Sequence, residues 1–384
     1  MSSLRELHES GQAIWLDFLR RGLITSGGLE RLLREDAVTG VTSNPSIFGK
    51  AIGGSTDYDE ALREIAEKGD RTPLEIFYDL ALGDIRMAAD VFWPVYEETV
   101  GMDGFVSFEL EPRLAHDTQG SITAARELLE RISKPNVMIK VPGTPESVGA
   151  VEELTALGVN VNITLLFSVA MYEQVALAYI AGLERRRGAG DALDAVASVA
   201  SFFVSRVDTA VDDELPERSP LRGKIATANA KAAYHRFRRI FSSERWQRLA
   251  AAGARVQRPL WASTGTKNPS YSDVLYVEEL VGPDTVNTMP EQTLEAFRDH
   301  GRVRPLAVLD GFEEAEQMLA LLPEHGIDLA RITATLVEDG IRAFDADLAK
   351  LLATIETKLL QARAAQPRRR AEQPESGTGL QLVS

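Results

Sequence analysis

The sequence predicts an α/β protein built as a single (β/α)8 barrel, on three observations. Eight short apolar runs alternate along the chain with longer segments of helical periodicity. Most of these runs end in polar residues, and some are stopped by proline. The chain has 384 residues, a length that such barrels commonly use as one domain. Because these barrels carry their chemistry at the carboxyl ends of the strands, the polar residues there are candidate site residues.

Composition excludes several classes of function. The net charge of −15 argues against general electrostatic binding to nucleic acid or to an anionic membrane, so any phosphate group must be held by a local site. The absence of cysteine removes disulfides, thiol nucleophiles and zinc–thiolate sites. The polar N-terminal segment does not resemble a signal peptide, and no run has the length of a membrane span. A cytoplasmic protein is therefore predicted.

The eight apolar runs are predicted as strands because strands covered on both faces lose the apolar/polar alternation of half-exposed ones. In chain order they are residues 14–19, 40–44, 104–110, 137–141, 159–166, 197–204, 259–263 and 284–289. Pro45 and Pro112 mark the ends of the second and third runs. The fifth run alternates apolar residues with Asn160, Asn162 and Thr164, so one of its faces is predicted to be polar.

Helices are predicted between the strands from their apolar spacing. They cover residues 26–33, 57–98, 121–132, 147–157, 171–187 and 224–252. Ser26 is predicted to cap the first, and Thr72 and Pro73 are the cap and first-turn residue of a long segment in the second. Helices over residues 311–363 are expected to pack on the barrel or over its mouth. From residue 366 the chain is rich in Pro, Gly and charge, so residues 366–384 are predicted as a disordered tail after one domain, 1–365.

Lys140 is the central candidate for chemistry. It is the one charged residue in the apolar run 137–141, so it is predicted to be buried. Burial disfavours the charged ammonium and favours the neutral amine, which is the form that can attack a carbonyl and make a Schiff base. The alternative is a buried lysine that pairs with a carboxylate for structural reasons. Strand four alone does not distinguish the two.

Other strands bring polar groups to the same end of the barrel. They are Asp17, Thr42, Asn44, Glu109, Asn162, Thr164, Ser201, Arg206, Ser263 and Lys267. This set suits a polyhydroxylated carbonyl compound that carries phosphate, because it combines one amine, two carboxylates, several amides and hydroxyls, and a basic edge.

A mechanism follows from these residue types. Lys140 would form an iminium ion, an electron sink for cleavage of the neighbouring carbon–carbon bond, while Asp17 and Glu109 would carry the two proton transfers that this needs. Thr164 could hold a water molecule. Asn44 and Asn162 could bind substrate hydroxyls.

Five sequence blocks resemble, in order, those of the transaldolase family in its longer bacterial form. They are GVTSNPSIF from Gly40, FELEPRLAHD from Phe108, VMIKVPGT from Val137, GVNVNITLLFS from Gly158 and SFFVSRVD from Ser201. The resemblance runs from about Ile14 to beyond Met289. It implies a pentose phosphate pathway enzyme without a cofactor. Such an enzyme moves a dihydroxyacetone unit from sedoheptulose 7-phosphate or fructose 6-phosphate to glyceraldehyde 3-phosphate or erythrose 4-phosphate.

The resemblance also implies roles for single residues. Lys140 matches the Schiff-base lysine, Asp17 the aspartate of the first strand, and Glu109, rather than Glu111, the acid of the third-strand block. The other residues that match family positions are Thr42, Asn44, Asn162, Thr164, Ser201, the phosphate ligand Arg206, and Ser263. Strand seven departs from the family, because many members have Ser-Phe-Arg-Asn where this chain has Ser263-Thr-Gly-Thr-Lys-Asn. Lys267 is the candidate for the arginine position, although a lysine lacks the bidentate fork.

Three alternatives are weighed against a transaldolase. The related fructose-6-phosphate aldolases tend to have glutamine where Glu109 stands and tyrosine where Phe203 stands, so both residues favour a transaldolase. A non-catalytic sugar-phosphate-binding barrel would be expected to lack the lysine or one of the acids. A metal-dependent aldolase is rejected, because the histidines lie away from the strand ends. They are His8, His116, His235, His300 and His325. The sequence leaves open whether the protein forms a homo-oligomer.

Overall fold

The centre of the structure, a computed structural model that describes residues 2–67 and 71–365, is a closed barrel of eight parallel strands. The strands are β1 Gln12–Leu16, β2 Val38–Thr42, β3 Val106–Glu109, β4 Val137–Pro142, β5 Val161–Leu166, β6 Ser198–Phe203, β7 Gln257–Ala262 and β8 Thr285–Met289. Each strand pairs with the next along the chain, and β8 closes the barrel on β1. The predicted (β/α)8 barrel is confirmed, and all eight predicted strands are present.

Helices surround the barrel and connect its strands. They are α1 Ser3–Glu9, α2 Arg21–Thr25, α3 Gly28–Asp36, α4 Pro45–Gly54, α5 Asp59–Glu67, α6 Pro73–Glu98, α7 Thr118–Ile132, α8 Ser147–Ala156, α9 Val169–Gly188, α10 Ser205–Glu214, α11 Ile225–Ile240, α12 Glu244–Ala250, α13 Leu275–Glu278, α14 Glu291–His300, α15 Phe312–Leu321 and α16 Leu329–Ala365, with 3-10 turns at Pro112–Leu114 and Leu322–His325. The strands are buried along nearly their whole length, which explains their unbroken apolar runs.

Two helix predictions need correction or refinement. Ser26 does not cap the start of a helix, because it is the C-cap of α2, and α3 begins after Gly27 at φ 73°. Glycine adopts this left-handed conformation without strain, which allows the chain to reverse between the two helices. The region 224–252 is also two helices, α11 and α12. The prediction at Thr72 is confirmed, since its side chain accepts from the backbone of Glu75 in a capping box at the start of α6.

The long helix α16 crosses the mouth of the barrel. Gly340 lies against Leu165 of β5, so close that an added Cβ would be 2.8 Å from the leucine side chain. Leu348 lines a small cleft together with Asn44 and Glu109. The apolar residues Phe344, Leu348, Leu351 and Ile355 are buried beneath the helix. Of the predicted C-terminal helices, α16 therefore covers the end of the barrel where the strands finish, whereas α15 packs against α11 on its outside.

The predicted tail, residues 366–384, lies outside the described residues. In the two described ranges, no helix is both long enough and apolar enough to cross a membrane. The division into one domain, 1–365, and a tail stays a prediction.

Candidate active site

Lys140 and Glu109 form a buried ion pair at the centre of the barrel mouth. The register of β3 and β4 sets the two residues side by side. Lys140 Nζ donates to Glu109 Oε2 over 3.0 Å and to the Ser43 carbonyl oxygen over 3.0 Å, and only 4% of Lys140 is exposed. Burial raises the pKa of the Glu109 carboxyl, and the Lys140 ammonium beside it partly offsets that rise.

Glu111 has a different environment from Glu109. It accepts from Tyr78 Oη over 2.9 Å and from Arg113 Nε over 2.7 Å. These contacts occupy Glu111 in a local ion pair at the edge of the 3-10 turn. The assignment of Glu109, rather than Glu111, to the partner of Lys140 agrees with this geometry.

Asp17 follows β1 directly and lies beside the end of β2. Thr42 Oγ1 donates to Asp17 Oδ1 over 2.7 Å and lies 2.8 Å from Thr288 Oγ1. Since a carboxylate accepts only, Thr42 gives its single hydroxyl proton to Asp17 and accepts from Thr288. This chain of hydroxyls orients the Asp17 carboxylate. Thr288, near the carboxyl end of β8, was missed by the sequence analysis, although its place at a strand end is the signal that identified the others.

Asn162 lies next to Lys140 in the register of β4 and β5 and bridges two other strands. Its Nδ2 donates to Ser107 Oγ over 3.0 Å, and its Oδ1 accepts from Ser201 Oγ over 2.7 Å. Ser107 was also missed, and the signal was its spacing of two residues from Glu109, which places both on the same face of β3. One N–H and one lone pair of the Asn162 amide remain for a ligand.

Thr164 on β5 has an unusual hydroxyl. The residue is fully buried, and its Oγ1 has no hydrogen-bond partner among the described residues. A buried polar atom without a partner is rare in folded proteins and calls for an explanation. One explanation is that the Thr164 hydroxyl binds a water molecule or a substrate atom.

Asn44 has a structural role as well as a position near the site. Its Oδ1 accepts from the Ile47 backbone over 3.0 Å and so caps the N-terminus of α4. Its Nδ2 and the second lone pair of its Oδ1 are left for a substrate hydroxyl. Binding of substrate by Asn44 stays a prediction.

Arg206, near the start of α10, lies at the basic edge of the mouth. Burial lowers the pKa of its guanidinium, and the negative charges of Asp17, Asp347 and Glu109 oppose that shift. The guanidinium lies over the Phe203 ring, with Cζ 5.5 Å from the ring centroid. Arg206 forms no salt bridge with any residue that the structure describes.

Ser263 and Lys267 extend this edge from the segment after β7. Ser263 Oγ lies 3.0 Å from Ser205 Oγ at the start of α10. Partial burial lowers the pKa of the Lys267 ammonium, and the positive charge of Arg206 lowers it further. Two cations with no carboxylate salt-bridged to either one in the described chain make this edge positively charged, which suits an anion.

A barrel with a buried lysine–carboxylate pair at its strand ends and a positively charged edge beside it is typical of an enzyme for phosphorylated carbonyl compounds. A family model described as transaldolase/fructose-6-phosphate aldolase matches residues 14–355. A transaldolase of Parafrankia sp. is 47% identical over 93% of this chain and 98% of its own. A transaldolase of Saccharopolyspora erythraea is 47% identical over 94% of this chain and 99% of its own. A transaldolase of Trichodesmium erythraeum is 43% identical over 93% of this chain and 97% of its own. The chain belongs to the transaldolase/fructose-6-phosphate aldolase family.

Proposed function

We propose that this protein is a transaldolase that transfers a dihydroxyacetone unit between sugar phosphates through a Schiff base on Lys140. The donor is sedoheptulose 7-phosphate or fructose 6-phosphate, and the acceptor is glyceraldehyde 3-phosphate or erythrose 4-phosphate. The observation that carries the proposal is the buried contact of Lys140 with Glu109 at the carboxyl ends of the barrel strands. Since these substrates are metabolites of the cytoplasm, the proposal places the enzyme there.

The first half of the reaction needs a neutral amine. Because burial raises the pKa of Glu109, this carboxylate can take a proton from the Lys140 ammonium and release the amine. The amine adds to the donor ketone, and Glu109 returns the proton as the hydroxyl leaves as water, which gives the iminium ion. Thr164 holds that water in the proposed mechanism. Lys140 is thus the nucleophile and Glu109 the general acid and base.

The second half of the reaction uses Asp17. Its carboxylate takes the proton of the donor hydroxyl whose carbon leaves, and the carbon–carbon bond breaks, so that this part of the donor departs as an aldose phosphate with a new aldehyde group. The electron pair of the broken bond converts the iminium into an enamine. The acceptor aldehyde then adds to the enamine carbon, with the proton returned to the new hydroxyl. Hydrolysis of the new iminium frees the product and Lys140. The hydrogen bond from Thr42 supports this role, because it orients the carboxylate.

Fructose-6-phosphate aldolase activity is the alternative within the family. The pairing of Lys140 with a glutamate, not a glutamine, supports a transaldolase, and so does Phe203, which brings no hydroxyl to the site. The test supplies fructose 6-phosphate with and without erythrose 4-phosphate. A transaldolase forms sedoheptulose 7-phosphate only with the acceptor, whereas an aldolase releases free dihydroxyacetone without one.

Arg206→Ala is expected to raise KM for phosphorylated donors by roughly 10- to 100-fold, as for loss of charge-assisted hydrogen bonds, with kcat little changed. Lys267→Ala is expected to have the same effect more weakly, since lysine adds only a point charge. Steady-state kinetics with fructose 6-phosphate and with unphosphorylated fructose measure both effects, and only the phosphorylated donor should respond. An unchanged KM for Lys267→Ala would leave Arg206 and Ser263 as the phosphate ligands.

Thr164→Val is expected to separate catalysis from stability. Because Thr164 Oγ1 has no partner in the described structure, a methyl group in its place breaks no protein hydrogen bond, and Tm should be equal or higher. If the hydroxyl holds the reacting water, kcat should fall by roughly 10- to 100-fold, at the low end for proton-transfer groups. Thermal unfolding and single-turnover iminium formation are the two measurements. Normal turnover with raised Tm would assign the hydroxyl no role in catalysis.

A further inference from the structure

Two buried carboxylates on α10 bind tyrosines instead of cations. Asp208 accepts from Tyr276 Oη over 2.8 Å, and Asp212, one turn further on, accepts from Tyr271 Oη over 2.6 Å. The second oxygen of each carboxylate accepts a backbone N–H, from Ala226 over 2.7 Å and from residue 223 over 3.1 Å. Burial of a carboxylate without a cation is costly, so these four hydrogen bonds are needed to offset it.

The tyrosine Tyr271 belongs to the segment that carries Lys267. We call residues 263–272 the β7 loop, since they follow β7 directly. Within the loop, Thr266 Oγ1 donates to the Ser272 carbonyl over 2.7 Å and the Tyr271 N–H donates to the Asn268 carbonyl over 3.1 Å. These bonds make the loop one braced unit. A shift of Tyr271 would therefore move Lys267 with it.

The β7 loop is held to α10 at both of its ends. At its start, Ser263 Oγ contacts Ser205 Oγ, and the Ser205 N–H donates to the Ser263 carbonyl over 3.2 Å. Near its end, Tyr271 contacts Asp212. Gly223, at φ 69°, lies under the Tyr271 ring, where an added Cβ would be 2.7 Å from Cζ. A glycine is thus required for the ring to reach Asp212.

An opposing force acts on the same loop. Lys267 and Arg206 are both positive and follow the paired strands β7 and β6, so their charges repel, in keeping with the direction in which Arg206 moves the pKa of Lys267. Before an anion binds, this repulsion favours movement of the loop away from α10. A hydrogen bond from Tyr271 to Asp212 works against that movement.

We propose that Tyr271 and Asp212 are positioning residues for the phosphate site, because their hydrogen bond holds Lys267 on the β7 loop at a fixed place relative to Arg206 on α10. The inference rests on the proposed function, in which these two cations bind the substrate phosphate. Tyr271 and Asp212 act through Lys267 and do not bind phosphate. Their hydrogen bond preorganises the two like charges before the anion binds, so less of the binding free energy is spent on bringing the charges together.

Tyr271→Phe removes only the hydroxyl and is the test. KM for fructose 6-phosphate should rise about 3- to 10-fold, as for one hydrogen bond, with kcat within about twofold of wild type. KM for unphosphorylated fructose should not change. In the double variant Tyr271→Phe/Lys267→Ala, KM should equal that of Lys267→Ala alone, because both changes remove one contribution.

Tyr58→Phe is the control, since Tyr58 Oη donates to the buried Asp84 over 2.7 Å away from the β7 loop, where Asp84 also pairs with Arg21. It should lose stability and keep the wild-type KM. The proposal is overturned if Tyr271→Phe leaves KM unchanged or raises KM equally for both donors. It is also overturned if the effects of Tyr271→Phe and Lys267→Ala on KM are fully additive in the double variant.

Calorimetric titration with inorganic phosphate tests this edge without turnover. Weaker phosphate binding by Tyr271→Phe than by the wild type supports the proposal even if the wild-type protein has no transaldolase activity, and equal binding contradicts it.

Discussion

Lys140→Arg is expected to abolish turnover, with a loss of at least about 10⁴-fold in kcat, on the scale found when a nucleophile is removed. A guanidinium keeps its proton at any working pH and cannot attack a carbonyl. It can still pair with Glu109, so the barrel should fold. Borohydride reduction of the wild-type protein with fructose 6-phosphate should fix the label on Lys140, read by peptide mass mapping, and the variant should take up none.

Lys231→Arg is the control for this substitution. Lys231 on α11 is similarly buried, at 7% exposed, and has the same kinds of partner, Glu279 Oε2 at 3.3 Å and the Asp310 carbonyl at 2.8 Å. It lies outside the barrel interior, so Lys231→Arg should keep its turnover and its labelling. A borohydride label on any lysine other than Lys140 would contradict the assignment of Lys140 as the nucleophile.

Glu109→Gln is expected to slow iminium formation and hydrolysis by about 10²- to 10⁴-fold, the range for loss of a general acid and base. A glutamine fills the same space and still accepts from Lys140 Nζ, so donor binding should be largely intact. It cannot take the ammonium proton or return one to the leaving hydroxyl. Single-turnover borohydride trapping measures the rate of iminium formation, and equilibrium binding of inorganic phosphate reports whether the site is intact.

Glu111→Gln is the matched control, because Glu111 lies two residues away and contacts Tyr78 and Arg113. Its turnover should be close to that of wild type. If the Glu111 variant were inactive and the Glu109 variant active, the acid would have been assigned to the wrong residue of the third-strand block.

The polar residues at strand ends show how far sequence reasoning reached. Asp17, Glu109 and Lys140 were selected because each lies in or just after an apolar run, and the structure brings them to one end of the barrel. The same rule applied to β8 would have found Thr288. Ser107 could have been found from its spacing of two residues from Glu109, which places both on one face of β3.

Local partners along the chain are not decided by sequence alone. Asp208 and Asp212 lie two and six residues after Arg206 on α10, spacings that do not place them on its face of the helix, and both acids bind tyrosines and backbone N–H groups from other segments. Asn44 has a local structural partner in addition to its predicted substrate role, since its side chain caps α4. Spacing along a helix shows which side chains can meet, whereas competition from distant groups decides which contacts form.

The sequence by itself determined the barrel, its eight strands and the burial of Lys140, because apolar runs, helical periodicity and proline stops are local properties of the chain. Only the tertiary structure decided which groups meet: Thr42 with Thr288, Asn162 with Ser107, and Tyr271 with Asp212. These partners lie 246, 55 and 59 residues apart in the chain. Barrel closure and the packing of helices and loops around it bring them together, and no local pattern records such contacts.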